Sequence, residues 1–213
     1  YDASGKPIDP ITGISTITPT SYSGIADRPG GDFMVTLGLW RSQDPANDQV
    51  GSAQVQKGTL MHELGHNLAL SHGGLSNQPN CMPNYQSVMN YLYQTRGLTD
   101  ANNVDVKHID FSYGLALGDL SENSLNARRF FPPRYRVRYF GPLGPGILPG
   151  SDAKLHCDGT PIKDGAKAVR SEGLAASWPD WSNGTVPPGT PFAFDVNFNG
   201  VLAETFDDQP DWF

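Results

Sequence analysis

Residues 62–72 read His-Glu-Leu-Gly-His-Asn-Leu-Ala-Leu-Ser-His. On an α-helix, side chains four positions apart lie on one face. His62 and His66 can therefore offer imidazole nitrogens to the same point, which is the requirement for two ligands of one metal ion. Glu63 follows the first histidine and points into the neighbouring space, where a metal-bound water would lie. That arrangement suits zinc-assisted hydrolysis with Glu63 as general base. His72 completes a three-histidine set and leaves one coordination position open. Leu60, Met61, Leu64, Leu68 and Leu70 surround the motif and predict a largely buried helix over 55–70. A buried helix does not hold histidines and a glutamate without partners, because unpaired buried polar groups are costly. Metal ligation would satisfy them. A chance HExxH on an ordinary helix is the plain alternative, and the third histidine weighs against it.

With its third histidine, this stretch resembles the signature of the metzincin zinc peptidases, HExxHxxGxxH with a methionine turn downstream. The resemblance covers His62, Glu63, His66 and His72. It departs at Ala69, where the family has a glycine that lets the chain leave the helix abruptly. Either the turn here avoids positive φ, or Ala69 is strained. Ser87-Val88-Met89-Asn90-Tyr91 resembles the S-x-M-x-Y turn of astacins and serralysins. The resemblance implies that Met89 lies beneath the metal as an apolar base. It also implies that Tyr91 reaches the zinc or the reaction intermediate. Ordinary core roles for both residues are the alternative. Residues 23–26, 30–38, 81–86 and 108–113 are similar to segments of uncharacterised secreted metzincin-like peptidases. The implied architecture is α+β: a twisted mixed sheet over the zinc-binding helix, the methionine turn and a C-terminal helix. Metzincin domains usually carry more sequence before the zinc helix, so the N-terminal part is expected to be abbreviated.

The 213 residues suffice for one domain, with or without a small appendage. Only 17% of residues are charged and the formal net charge is −7, which argues against nucleic acid and against an anionic membrane surface. The apolar runs are too short to span a bilayer. No signal peptide stands at Tyr1, as expected either of a processed mature chain or of a chain cut to this start. Cys81 and Cys157 are the two cysteines. In an extracellular protein they would form one disulfide tying the segment before the methionine turn to the C-terminal region; free buried thiols are the alternative.

Residues 14–18 read as a short strand, and 32–40 as a clearer one with Phe33, Val35, Leu37 and Leu39 on one side. The edge of such a strand could pair with an extended substrate. A second helix is predicted over 115–128. The catalytic domain is assigned to 1–128, and 129–213 to a loop-rich, β-type C-terminal region. In that region, 134–140 reads as a strand with a basic face, either solvated or matched to an acidic partner. Residues 141–150 read as a Pro/Gly linker. Asp195-Val196-Asn197-Phe198-Asn199-Gly200 matches the first half of a calcium loop, with Asp195, Asn197 and Asn199 as oxygen donors. Its twelfth position is Phe206 rather than glutamate, so the full EF-hand pattern fails. Glu204, Asp207 and Asp208 lie close enough to substitute, and a plain Asn/Gly turn is the alternative.

The expectation is a secreted zinc endopeptidase acting on protein or peptide substrates. His62, His66 and His72 would hold Zn2+, Glu63 would be general base and Tyr91 would assist. Residues around 85–113 would form the specificity pocket, and Ca2+ at 195–199 would be a second cation. Two rivals are open. One is a thermolysin-like site with Glu122 as third ligand. The other is a non-catalytic extracellular binding module whose metal is a staple.

Overall fold

The computed structural model describes residues 22–75, 78–114, 119–126, 134–145, 152–163, 165–173 and 179–212. The strand expected over 14–18 and much of the linker expected over 141–150 lie outside them. The described chain contains strands β1 (Gly24–Ala26) and β2 (Phe33–Val35), then helix α1 (Ala53–Asn67). Six short strands follow: β3 (Leu98–Thr99), β4 (Lys107–His108), β5 (Leu120–Ser121), β6 (Arg138–Gly141), β7 (Val169–Glu172) and β8 (Thr205–Phe206). They pair antiparallel as β1–β2, β3–β4, β5–β8 and β6–β7. The described residues thus contain two-stranded pairs in place of the mixed sheet expected.

Helix α1 begins where Ser52 accepts a side-chain hydrogen bond from the Val55 amide at 3.3 Å, which satisfies one of the helix's free N-terminal donors. Its buried residues are Gly58, Thr59, His62, Glu63 and Gly65. Of the apolar residues expected to be buried, Leu70 is in the core and Met61 packs against it, while Leu60, Leu64 and Leu68 are 47%, 37% and 51% exposed. Backbone proximity explains the choice of face. A Cβ at Gly58 would overlap the carbonyl oxygen of Gln94, and one at Gly65 would overlap the Met89 thioether. The helix presses its glycine side onto the segment 89–94, which turns the leucines outward.

Strand β2 is shorter than the run expected over 32–40. After Val35 the chain bends, and the Trp40 amide bonds back to the Leu37 carbonyl at 2.9 Å. The helix expected over 115–128 does not form where the chain is described. Leu120–Ser121 pairs with Thr205–Phe206, a single 3-10 turn covers Glu122–Ser124, and Leu125 bridges Phe192. The strand expected over 134–140 begins only at Arg138, after Tyr135 bridges Asp100. Its basic residues meet internal acids, Arg134 on Asp110 at 3.2 Å and Arg138 on Glu172 at 2.7 Å.

One core cluster joins Met82, Tyr85, Met89 and Phe111 to Val137, Tyr139, Trp181, Val196 and Phe206. Described residues on both sides of position 128 therefore share a core. Cys81 and Cys157 form the expected disulfide, with Cα atoms 6.2 Å apart.

Gly58 gives a direct test of the close approach. On an exposed helix, Gly→Ala stabilises by about 1 kcal/mol. Here the added methyl meets a backbone oxygen that cannot rotate away, and overpacking of this kind costs about 1–3 kcal/mol. Gly58→Ala is expected to lower the unfolding free energy by about 1–2 kcal/mol in urea titration. A gain in stability would show that helix and segment do not touch this closely.

Candidate metal centre

Helix α1 delivers His62 and His66 from adjacent turns, and a sharp exit brings His72 back to them. The exit is a Schellman turn: the Ala69 amide bonds to the His66 carbonyl at 2.9 Å, and the Leu70 amide to the Gly65 carbonyl at 3.0 Å. Ala69 takes φ +75°, so the strained alternative holds. One ligand atom from each of His62, His66 and His72 lies within 4.8 Å of the others. Among the described residues they are the one group of three or more His, Cys, Asp or Glu side chains close enough to share an ion.

The outer nitrogens are fixed as ligand histidines require. His62 Nδ1 lies 2.9 Å from the Val88 carbonyl oxygen, and His66 Nδ1 lies 2.8 Å from the Leu70 carbonyl oxygen. Carbonyls only accept, so both Nδ1 atoms carry hydrogen and donate. Each Nε2 is then the unprotonated nitrogen, with a lone pair that could take a metal. Burial pushes the His62 pKa down to about 3 and the His72 pKa to about 4, with the other histidines adding to the shift. His66 is lowered mainly by burial. At neutral pH the set is therefore uncharged and able to donate lone pairs, and these residues fit a zinc ion.

Glu63 is 3% exposed, and burial raises its pKa to about 7. Its carboxylate rests on β1, where a Cβ at Gly24 would lie 2.5 Å from Oε1. The β1–β2 turn is fastened to the end of α1, since Asn67 Nδ2 donates to the carbonyls of Asp27 and Asp32 at 3.2 and 3.0 Å. The segment 87–91 closes the other side. Met89 is fully buried against Gly65. The Tyr91 ring centroid lies 4.3 Å from that of His72 and 5.5 Å from that of His62. Burial, then the Glu63 charge, raises the Tyr91 hydroxyl to about 12, so it is a hydrogen-bond donor at neutral pH.

Histidines, Glu63 and Tyr91 line one open cleft of about 630 Å³, with β1 on one wall and Leu155–Gly159 on another. Nothing in the local sequence of 155–159 marks it as a wall. The signal that could have found it is the pairing of Cys157 with Cys81, which stands shortly before the segment 87–91.

The other expected sites lie elsewhere. Glu122 is fully buried, and its carboxylate oxygens accept from the amides of Val196 at 2.8 Å and Glu204 at 3.3 Å. It anchors the C-terminal segment and is not in the histidine group, which removes the thermolysin-like alternative. In the loop 195–200, Asp195 accepts from the amides of Asn199 and Gly200 at 3.1 and 2.8 Å. Asn197 and Asn199 turn their Nδ2 donors to Glu204 at 3.1 and 2.8 Å. Their Oδ1 atoms accept backbone amides at 3.2 and 2.8 Å. These bonds order the loop around Glu204. No family model, curated protein or solved structure matches this chain.

Two measurements test this geometry. Alanine in the left-handed region carries about 1–2 kcal/mol of strain, against about 0.4–1 kcal/mol of extra unfolded-state entropy for glycine. Ala69→Gly is expected to be neutral to about 1 kcal/mol more stable; a clear loss would mean that Ala69 is not strained. The second concerns protonation. The folded pKa values of His62 and His72 lie below the ordinary 6.5, so protonation favours the unfolded chain. Their stabilising effect is complete above about pH 6.5 and falls away as pH drops towards 4. In metal-free protein, their ring NMR signals are expected to stay fixed from about pH 8 to about pH 5. A midpoint near 6.5 would contradict their burial.

Proposed function

We propose that this chain is a secreted zinc-dependent endopeptidase of the metzincin type, with an α+β catalytic fold built around α1 and the methionine turn. The observation that carries the proposal is the convergence of His62, His66 and His72 in a cleft that also holds Glu63 and Tyr91. A purely structural zinc would more often have four protein ligands and no adjacent base.

His62, His66 and His72 hold the ion as neutral imidazoles. A zinc ion so held is a Lewis acid that polarises a peptide carbonyl and lowers the pKa of water. Glu63 takes the proton from the attacking water and passes it to the leaving amine. Glu63 lines the same cleft as the three histidines, which puts its carboxylate beside the space such a water would fill. Tyr91 donates its hydroxyl hydrogen to the oxygen on which charge develops. An extended peptide lies along the exposed edge of β1, whose residues line the cleft. The disulfide accords with an oxidising compartment, and no helix among the described residues is long and apolar enough to cross a membrane.

The deciding experiment is hydrolysis of an unfolded protein substrate, with and without a chelator, by wild type and by Glu63→Gln. Wild type is expected to cleave and to stop on chelation. Glu63→Gln is expected to keep its zinc and lose roughly a hundredfold or more in turnover, the scale of a lost general base. Zinc bound without any hydrolysis would favour the binding-module reading. Near wild-type turnover in the variant would remove Glu63 from the mechanism.

A further inference from the structure

We infer that Asp211, near the C-terminal end of the described chain, is a positioning residue for the metal-binding cleft; this rests on the reading that the three histidines hold a metal. The Asp211 side chain belongs to no motif and is 5% exposed. Its Oδ1 accepts from the Tyr85 hydroxyl at 2.5 Å. Its Oδ2 accepts from the Ser87 hydroxyl at 2.6 Å and from the Ser112 amide at 2.7 Å. The Asp211 amide returns a bond to the Ser112 carbonyl at 2.9 Å. Bonds to a buried carboxylate are charge-assisted and stronger than neutral ones.

These partners lead to the metal ligands by two routes. Ser87 Oγ also accepts from the Met89 amide at 3.1 Å, which fixes the backbone of the methionine turn. The residue between them, Val88, presents the carbonyl that holds His62 Nδ1 at 2.9 Å. The second route is the loop after His72. A Cβ at Gly74 would lie 3.5 Å from both Asp211 Oδ1 and the Tyr85 hydroxyl, so this loop packs directly on the same pair. One carboxylate therefore sits under both loops that orient the histidines which α1 alone cannot fix. The end of the chain is held over that position by a bridge between Tyr113 and Pro210. The Trp212 ring meets Phe111 edge-on at 5.3 Å, and Phe111 in turn packs on Gly65.

Simple stapling would lower stability without changing the geometry of the ligands, and the test separates the two. Asp211→Asn and Ser87→Ala are compared with wild type and with Leu125→Ala, a fully buried core position whose apolar side chain makes none of these bonds. Each is loaded with Co2+ and with Zn2+. The readouts are affinity by chelator competition, the visible cobalt spectrum, the melting temperature, and kcat against KM. Loss of a partner outside the ligand shell typically weakens metal binding about 10–100-fold. Asp211→Asn is expected to fall in that range, with shifted cobalt bands and a lower kcat at unchanged KM. Ser87→Ala, which removes the bond to Asp211 and the one from the Met89 amide, is expected to weaken binding about threefold or more and carries the test if Asp211→Asn does not fold. Leu125→Ala is expected to melt lower by at least as much, yet to bind metal within about twofold of wild type. Variants that match wild type in affinity and cobalt spectrum overturn the proposal, as does an equal loss of affinity in Leu125→Ala. Wild-type protein that takes up neither metal overturns the metal reading itself, and this proposal with it.

Discussion

The bond between His62 Nδ1 and the Val88 carbonyl, 2.9 Å long, joins the helix to the segment 87–91, and the cleft depends on that junction. It can form only because α1 approaches the 89–94 segment on its glycine side. With side chains at Gly58 or Gly65, the backbones would stand apart and the carbonyl would lose the ring. The same approach buries His62 and Glu63, which holds one histidine neutral and brings one carboxylate close to neutral pH. A local packing constraint thus sets both the tautomer of His62 and the acidity of its neighbour.

The outward-turned leucines follow from the same constraint. Helices usually bury their apolar stripe, yet α1 buries glycines, a threonine and ionisable groups while Leu60, Leu64 and Leu68 remain exposed. Of the four leucines around the motif only Leu70, beyond the helix end, reaches the core. Gly58 and Gly65 are seven positions apart, which is close to two helical turns, and so lie on nearly one line. That line, more than the apolar content, marks the buried face.

The histidine cluster was legible because its geometry is almost wholly local: a four-residue spacing on a helix, then one turn. Ala69 obscured the turn only in part, since a Schellman exit accepts a strained alanine where glycine would be easier. The Cys81–Cys157 pair was legible from redox logic. The elements that failed were those decided at long range. Leu115, Leu117, Leu120 and Leu125 matched helical spacing only loosely, and the backbone around Leu120 instead found Phe206. No window of sequence contains that pairing. The same holds for Asp211, whose partners lie about a hundred positions or more away, and for the cleft wall at 155–159.

Short strands pose a physical question, because two-stranded pairs are marginal alone and this cleft needs fixed loops. Buried polar side chains supply the missing backbone bonds. Asn90 donates to the carbonyls of Met82 and Tyr85 at 2.7 and 2.8 Å and accepts from the Leu92 amide at 3.0 Å, so one amide group closes the whole loop before Tyr91. Arg138 donates to the carbonyls of Leu92 and Gly97, both at 3.2 Å, while Glu172 balances its charge. Glu122 accepts from two amides of the C-terminal segment, and Asp211 collects three donors beneath the histidines. Buried backbone groups must find partners somewhere. In this chain side chains meet much of that demand near the cleft, and each such bond ties segments that are distant in sequence. The loops are therefore held by a network in which removing one side chain strands several buried donors or acceptors at once. Rigidity at the cleft comes from polar residues that, read singly, look like ordinary loop composition.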